Sequence, residues 1–161
     1  MKFKQSITHK VLIGLMLLVF LASTQSLLAQ TPAQAPSASE VKANYTKMEA
    51  HITMRDGVKL FTSIYMPKDS SQKYPFMMQR TPYSVSPYGA ELYKNSLGPS
   101  PLFQKEGFIF VYQDVRGRWN SEGDFKWMTP YKAKKSGATD VDEATDTYDT
   151  IDWLVKNILN I

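Results

Sequence analysis

The 161-residue sequence contains no cysteine. That absence excludes a disulfide scaffold, a thiol nucleophile, an iron–sulfur cluster, a cysteine-ligated zinc site and a lipidated N-terminus. Histidine is scarce as well, with only His9 and His51. No apolar run approaches the ~20 residues needed to span a bilayer; the longest, Val11 to Ala22, has 12. There is no glycine-rich phosphate loop. A basic excess is also missing from most of the chain. The formal charge is +4, from 19 Lys and Arg against 15 Asp and Glu, but Lys2, Lys4 and Lys10 fall in the first 29 residues, which hold no acid. The remainder carries 16 basic and 15 acidic groups. Such a body offers no basic stripe to neutralise phosphates, so nucleic acid is not an expected partner. Hydrophobic residues at 43% and charged residues at 21% are globular values and exclude wholesale disorder.

The first 29 residues have the organisation of a secretory signal. Lys2, Lys4 and Lys10 form a basic start, Val11 to Ala22 an apolar centre, and Ser23-Thr24-Gln25-Ser26 a polar break before Ala29. Cleavage is expected after Ala29, giving a secreted or periplasmic protein with no stable membrane anchor. An uncleaved signal anchor is the alternative, and the short run followed by a polar break disfavours it. Gln30 to Glu40 is rich in Pro, Ala, Ser and Gln without apolar periodicity, so residues 30–44 are expected to be a flexible linker and 45–161 the folded part.

The folded part reads as strands and helices in the order β-β-β-α-β-α. Arg55-Asp56-Gly57 separates two β-prone runs, His51 to Met54 and Val58 to Met66, and predicts a hairpin. Alternation of Val58, Leu60, Thr62 and Ile64 with Lys59, Phe61, Ser63 and Tyr65 predicts a half-buried second strand. Tyr74 to Arg80 predicts a third. Ser100, Pro101 and Gly107 are the N-cap, first residue and C-terminal stop of a short helix. Phe108 to Tyr112, continuously apolar, predicts a strand of a parallel sheet buried on both faces. Asp114 to Thr139 is an irregular stretch of a length usually associated with function. A last helix is expected from Asp140, with Asp140 and Glu143 as a capping pair and Ala144, Tyr148, Ile151, Leu154 or Val155, and Ile158 as its apolar stripe. That stripe and the parallel strand require a further strand, so the sequence is expected to be the first part of a longer protein.

Three groups of residues carry a resemblance to a known family. Arg80-Thr81-Pro82-Tyr83, Gln113-Asp114-Val115-Arg116-Gly117-Arg118 and Ser121-Glu122-Gly123 are similar to signatures of the cocaine esterase and X-Pro dipeptidyl-peptidase-like serine hydrolases (CocE/NonD type). The run Asp142 to Leu154 is most similar to the α-amino-acid ester hydrolase and cephalosporin (glutaryl) acylase branch. The resemblance covers nearly all of the chain after the linker. It implies an α/β fold: the N-terminal part of an α/β-hydrolase, with an antiparallel hairpin leading into a mostly parallel sheet, incomplete at its C-terminus.

In that fold a nucleophilic serine sits in G-x-S-x-G at a strand-to-helix elbow and is followed by Asp and His. The nearest match, Trp119-Asn120-Ser121-Glu122-Gly123, has tryptophan where the first glycine must be and neither a strand immediately before it nor a helix after it. Ser121 is therefore read as a turn residue. His51 precedes any usable serine and is read as a surface or edge-strand residue. The nucleophile, acid and histidine of the triad are expected outside these residues. The resemblance implies that the Tyr83 hydroxyl donates to the oxyanion; a tyrosine packed beneath the long loop is the alternative. Arg116 and Arg118 could hold a substrate carboxylate, but pairing of Arg116 with Asp114 or another loop acid, pinning the long connection, is preferred. Asp114, Arg116, Gly117, Ser121, Glu122 and Gly123 are thus motif positions with a structural reading. The acidic run Asp140, Asp142, Glu143 and Asp146 lacks the spacing of a calcium loop, and no metal or cofactor is expected. The expected function is a part of an exported serine hydrolase cleaving ester or amide bonds, inactive alone, acting on a small ester or amide or a short peptide. α-Amino-acid esters and β-lactam side-chain amides fit, and a homo-oligomer is compatible. A non-enzymatic periplasmic ligand-binding domain and a degenerate remnant are the other readings.

Overall fold

The computed structural model describes residues 37–158. The expected leader and residues 30–36 of the expected linker lie outside them. The described part begins with a helix, α1, over Ala38–Asn44. This corrects the expectation of a flexible linker through residue 44. The Ser37 side chain caps the helix by accepting from Glu40 N, and Val41 is completely buried. A single apolar residue creates no periodicity, yet it suffices to dock a seven-residue helix whose other positions are mostly good helix formers.

Strands β1, Tyr45–Thr53, and β2, Lys59–Pro67, form the predicted hairpin. Met54 N donates to Val58 O, and Gly57 takes φ +89 in the turn, a conformation glycine adopts without steric cost. β1 begins six residues earlier than the sequence suggested. The reason is Lys47, whose charged side chain hides an inward-facing position. Its side chain is fully buried, and its ammonium donates to the carbonyls of Pro87, Gly89 and Leu92 at 2.7–2.9 Å and pairs with Glu49 at 2.7 Å.

β3, Phe76–Thr81, is followed by α2, Pro101–Glu106, and β4, Ile109–Asp114. The sheet order is β1-β2-β4-β3, with β4 antiparallel to β2 and parallel to β3. The β3–α2–β4 crossover matches the sequence pattern. Gly107 ends α2 in the left-handed region at φ +83. β4 is buried at every position, as its apolar run predicts. β2 is not half-buried: Leu60 through Tyr65 are all buried. Both faces of the sheet are covered. Phe61, Tyr65, Phe110 and Tyr112 meet Val41, Val85 and Leu97 on one face. Ile64, Ile109 and Val111 meet Leu154 and Ile158 on the other.

The last helix, α3, spans Glu143–Asn157. Its N-cap is Asp142 rather than Asp140, because Thr145 stands three residues after Asp142 and completes a reciprocal capping box. The predicted stripe is corrected in part: Leu154 and Ile158 face inward as expected, joined by Asp146 and Thr150, while Ala144, Tyr148, Ile151 and Val155 are exposed. The inward face is half polar because it meets Gln113, the buried polar residue of β4, whose amide donates to Thr62 Oγ1 and Thr150 Oγ1 at 2.9 Å each.

Gly107 provides a test of the crossover. A Cβ there would lie 2.4 Å from the Tyr74 ring at a positive φ. Gly107→Ala is expected to lower the unfolding free energy from urea melts by more than the ~1–2 kcal/mol of backbone strain alone, without changing the far-UV spectrum.

Candidate active site

Ligands of open α/β sheets bind outside the carboxyl ends of the parallel strands. Here the Thr81–Asp114 register brings the segments after β3 and β4 to the same end. The first runs Thr81-Pro82-Tyr83, the second Asp114-Val115-Arg116-Gly117-Arg118. Val115 N continues the pairing by donating to Thr81 O.

Asp114 holds these two segments together. It is completely buried. Its Oδ1 accepts from Val85 N at 3.1 Å, and Oδ2 accepts from the Tyr88 hydroxyl at 2.9 Å and from Asn120 N at 3.4 Å. Burial raises its pKa above the usual carboxylate value against the opposing pull of those donors. On the other side, Arg118 Nε and Trp119 Nε1 both donate to Pro82 O at 3.0 Å. The Lys47 ammonium fixes residues 87–92 of the same loop. Tyr83 is therefore carried on a backbone held from several directions, and Tyr83 N itself donates to Thr81 Oγ1. Its ring is 74% exposed, and among the described residues its hydroxyl has no hydrogen-bond partner.

Ser121 is buried, with Oγ donating to Asp114 O at 2.6 Å and accepting from Phe61 N at 2.8 Å. Both roles of the hydroxyl are structural. Glu122 pairs through its backbone and side chain with Lys59, and its carbonyl accepts from Gly117 N. Gly117 is the position where the loop backbone folds on itself: a Cβ would fall 2.1 Å from Phe125 N. A Cβ at Gly123 would come within 3.0 Å of the Arg116 side chain. His51 lies exposed on the edge strand β1, with Nε2 3.2 Å from Asn120 O.

Arg116 pairs with other acids than Asp114. Its Nη1 donates to Asp56 Oδ2 at 2.7 Å, and Nη2 and Nε donate to the two oxygens of Asp146 at 2.7 and 3.0 Å. Burial works against its charge, but the two carboxylates outweigh this and raise its pKa. Arg118 is turned inward, its guanidinium 5.0 Å from the Phe125 ring centre. Arg80 was named in the sequence only as part of the Arg80-Thr81-Pro82-Tyr83 motif, with no role of its own. Its Nε donates to Gln113 Oε1, and its Nη1 to Glu143 and Thr147, so it ties β3 to the start of α3. The signal was available in the form of an arginine and a glutamine, Arg80 and Gln113, each at the end of an apolar strand.

The acidic residues around α3 are occupied by capping and pairing. Asp142 caps the helix and pairs with Lys135, which holds its carboxyl far below the usual range. Asp140 accepts from Lys132 and Ser136. Among the described residues, no group of three or more His, Cys, Asp or Glu is placed to hold a metal ion, and no helix is long and apolar enough to cross a membrane. A cleft of about 490 Å³ opens between Asp56, the long loop and the start of α3, and Tyr83 is not among its lining residues.

A family model described as X-Pro dipeptidyl-peptidase (S15 family) matches residues 56–160. Cocaine esterase of Rhodococcus sp. (strain MB1 Bresler) is 29% identical over 117 residues, which is 72% of this chain and 18% of that protein. Among solved structures, an aminopeptidase from the marine sediment archaeon Thaumarchaeota archaeon superposes with a TM-score of 0.61 at 38% identity, over 83% of this chain and 21% of its own. An α-amino acid ester hydrolase superposes with a TM-score of 0.57 at 39% identity, over 81% of this chain and 21% of its own. The chain thus spans about a fifth of the length of these relatives.

Replacing Arg116 by methionine leaves Asp56 without a cationic partner and Asp146 with only Arg80, 3.9 Å away. Loss of one partner from a buried pair costs about 3–5 kcal/mol. Urea unfolding at pH 7 is expected to register a loss of that size for Arg116→Met.

Proposed function

Since the chain belongs to the X-Pro dipeptidyl-peptidase (S15) family, a family of hydrolases, we propose that it forms the oxyanion-binding part of an exported serine hydrolase. The reaction is transfer of an acyl group from an ester or amide to water. The likeness to an aminopeptidase and to an α-amino acid ester hydrolase supports α-amino-acid esters, amides or short peptides as substrates, with β-lactam side-chain amides in the same chemical class. The leader over residues 1–29 would direct the protein to the periplasm or the medium.

The observation that carries this reading is the exposed, unpartnered Tyr83 hydroxyl on a loop whose backbone is already fixed. Attack on a carbonyl concentrates negative charge on its oxygen. A neutral phenol held at that point donates a hydrogen bond without reorganising, and such a donor is worth about 10²–10³ in rate. Neither Ser121, whose hydroxyl is spent, nor His51, on the edge strand, is available as nucleophile or base. The triad would come from residues outside these 161, consistent with the fifth of the relatives' length that the chain covers.

Three measurements test this. The chain alone is expected to be silent toward p-nitrophenyl acetate and a fluorophosphonate probe; stoichiometric serine labelling that depends on folding would overturn the reading. The transcript beyond the codon for Ile161 is expected to encode a G-x-S-x-G elbow. In the protein that joins that elbow to this segment, Tyr83→Phe should lower kcat and kcat/KM together by about 10²–10³, leaving KM and the melting temperature nearly unchanged. Activity within a few-fold of wild type would remove Tyr83 from the chemistry.

A further inference from the structure

Among the described residues, three that are not glycine have positive φ: Ser84 at +85°, Trp119 at +50° and Met128 at +53°. Two of the three adjoin Tyr83. Ser84 follows it directly, and the Trp119 indole donates to the carbonyl of Pro82, the residue before it. Side chains with a Cβ avoid this region, and a large aromatic residue is seldom found there. Residues held in such conformations cluster where a site must present a side chain in a set direction.

Trp119 holds this conformation while 58% exposed, so more than half of its surface is open. Its one hydrogen bond goes to a carbonyl that Arg118 Nε already satisfies at 3.0 Å. The turn around it is closed by Arg118 N to Val115 O and Ser121 N to Arg118 O, bonds that a glycine at 119 would leave intact. Asn120 N, bonded to buried Asp114, fixes the exit of that turn. The result is a flat apolar ring pinned by its N–H edge against the backbone of the Tyr83 loop, with its remaining surface open.

We infer that the Trp119 indole is the wall against which an apolar, ring-bearing group of the substrate packs beside Tyr83, making Trp119 a specificity-determining residue. This rests on the oxyanion role of Tyr83 for its connection to catalysis, though not for the binding of a flat apolar group. The neighbouring charges suit this assignment: Arg116 is consumed by Asp56 and Asp146, and Arg118 lies against Phe125. An exposed aromatic surface is what remains to recognise a ligand.

The test begins with the full chain. Its tryptophan indole N–H resonances are followed by NMR during titration with phenylacetamide, with acetamide as the control, and the Trp119 signal is identified by its loss in Trp119→Phe. The Trp119 signal is expected to move with phenylacetamide and not with acetamide. Trp119→Gly, which accepts φ +50, should bind phenylacetamide no better than acetamide. An unmoved Trp119 signal at the solubility limit of the probe would overturn the proposal, as would an intact preference for phenylacetamide in folded Trp119→Gly. In the protein that includes the nucleophile elbow, Trp119→Gly should reduce kcat/KM for phenylalanine methyl ester about three- to ten-fold through KM and spare alanine methyl ester. Tyr83→Phe should lower kcat for both. A silent Tyr83→Phe beside a selective Trp119→Gly overturns the oxyanion reading alone; the reverse outcome overturns the Trp119 wall alone.

Discussion

Arg116 reaches from the turn after β4 to carboxylates on two other elements, Asp56 in the hairpin turn and Asp146 in the first turns of α3. Arg80, at the end of β3, grips the same end of α3 through Glu143 and Thr147. These two guanidinium groups set where the helix meets the sheet. Leu154 and Ile158 then supply the apolar contact farther along. Burying charge in this way is costly, and it succeeds here because each guanidinium faces several fixed acceptors. A planar fork can serve two carboxylates at once, whereas an apolar contact would let the helix slide or rotate.

The same economy of fixed polar groups runs beneath the site. Asp114 is buried at the end of β4 and receives donors from the loop after β3 and from its own loop. A buried carboxylate disfavours folding unless such donors surround it. What the fold gains is two loops that cannot move independently. Tyr83 and Trp119 ride on them as exposed side chains on a rigid base, the arrangement needed where a hydrogen bond must be ready before charge develops.

Much of the architecture was legible in the sequence, and the failures share a cause. Asp56-Gly57 marked the hairpin, Ser100-Pro101 and Gly107 bounded α2, and the apolar run at Phe108 gave β4, because each depends on local chemistry. The inward face of α3 was misassigned because its apolar residues, Ala144, Tyr148, Ile151 and Val155, point to solvent, while Asp146 and Thr150 point in. A rule that equates apolar with inside fails wherever polar side chains from the sheet, here Arg80 and Gln113, need partners. Lys47 concealed the start of β1 for the same reason, and the lone Val41 could not announce α1. Alternation in β2 suggested one buried face, since sequence cannot show that α1 and the loop around Leu97 cover the other. Tyr83 was found by resemblance; its position at the sheet's carboxyl end and its exposure are what the structure adds.

Lys47 holds the loop after Tyr83 through three backbone carbonyls and Glu49. Converging carbonyl oxygens with one carboxylate form the kind of cage that elsewhere encloses a free potassium or sodium ion. Here the cation is covalently attached to the chain. It cannot be diluted away, exchanged or taken by a chelator, so this anchor of the loop needs no free ion from its surroundings.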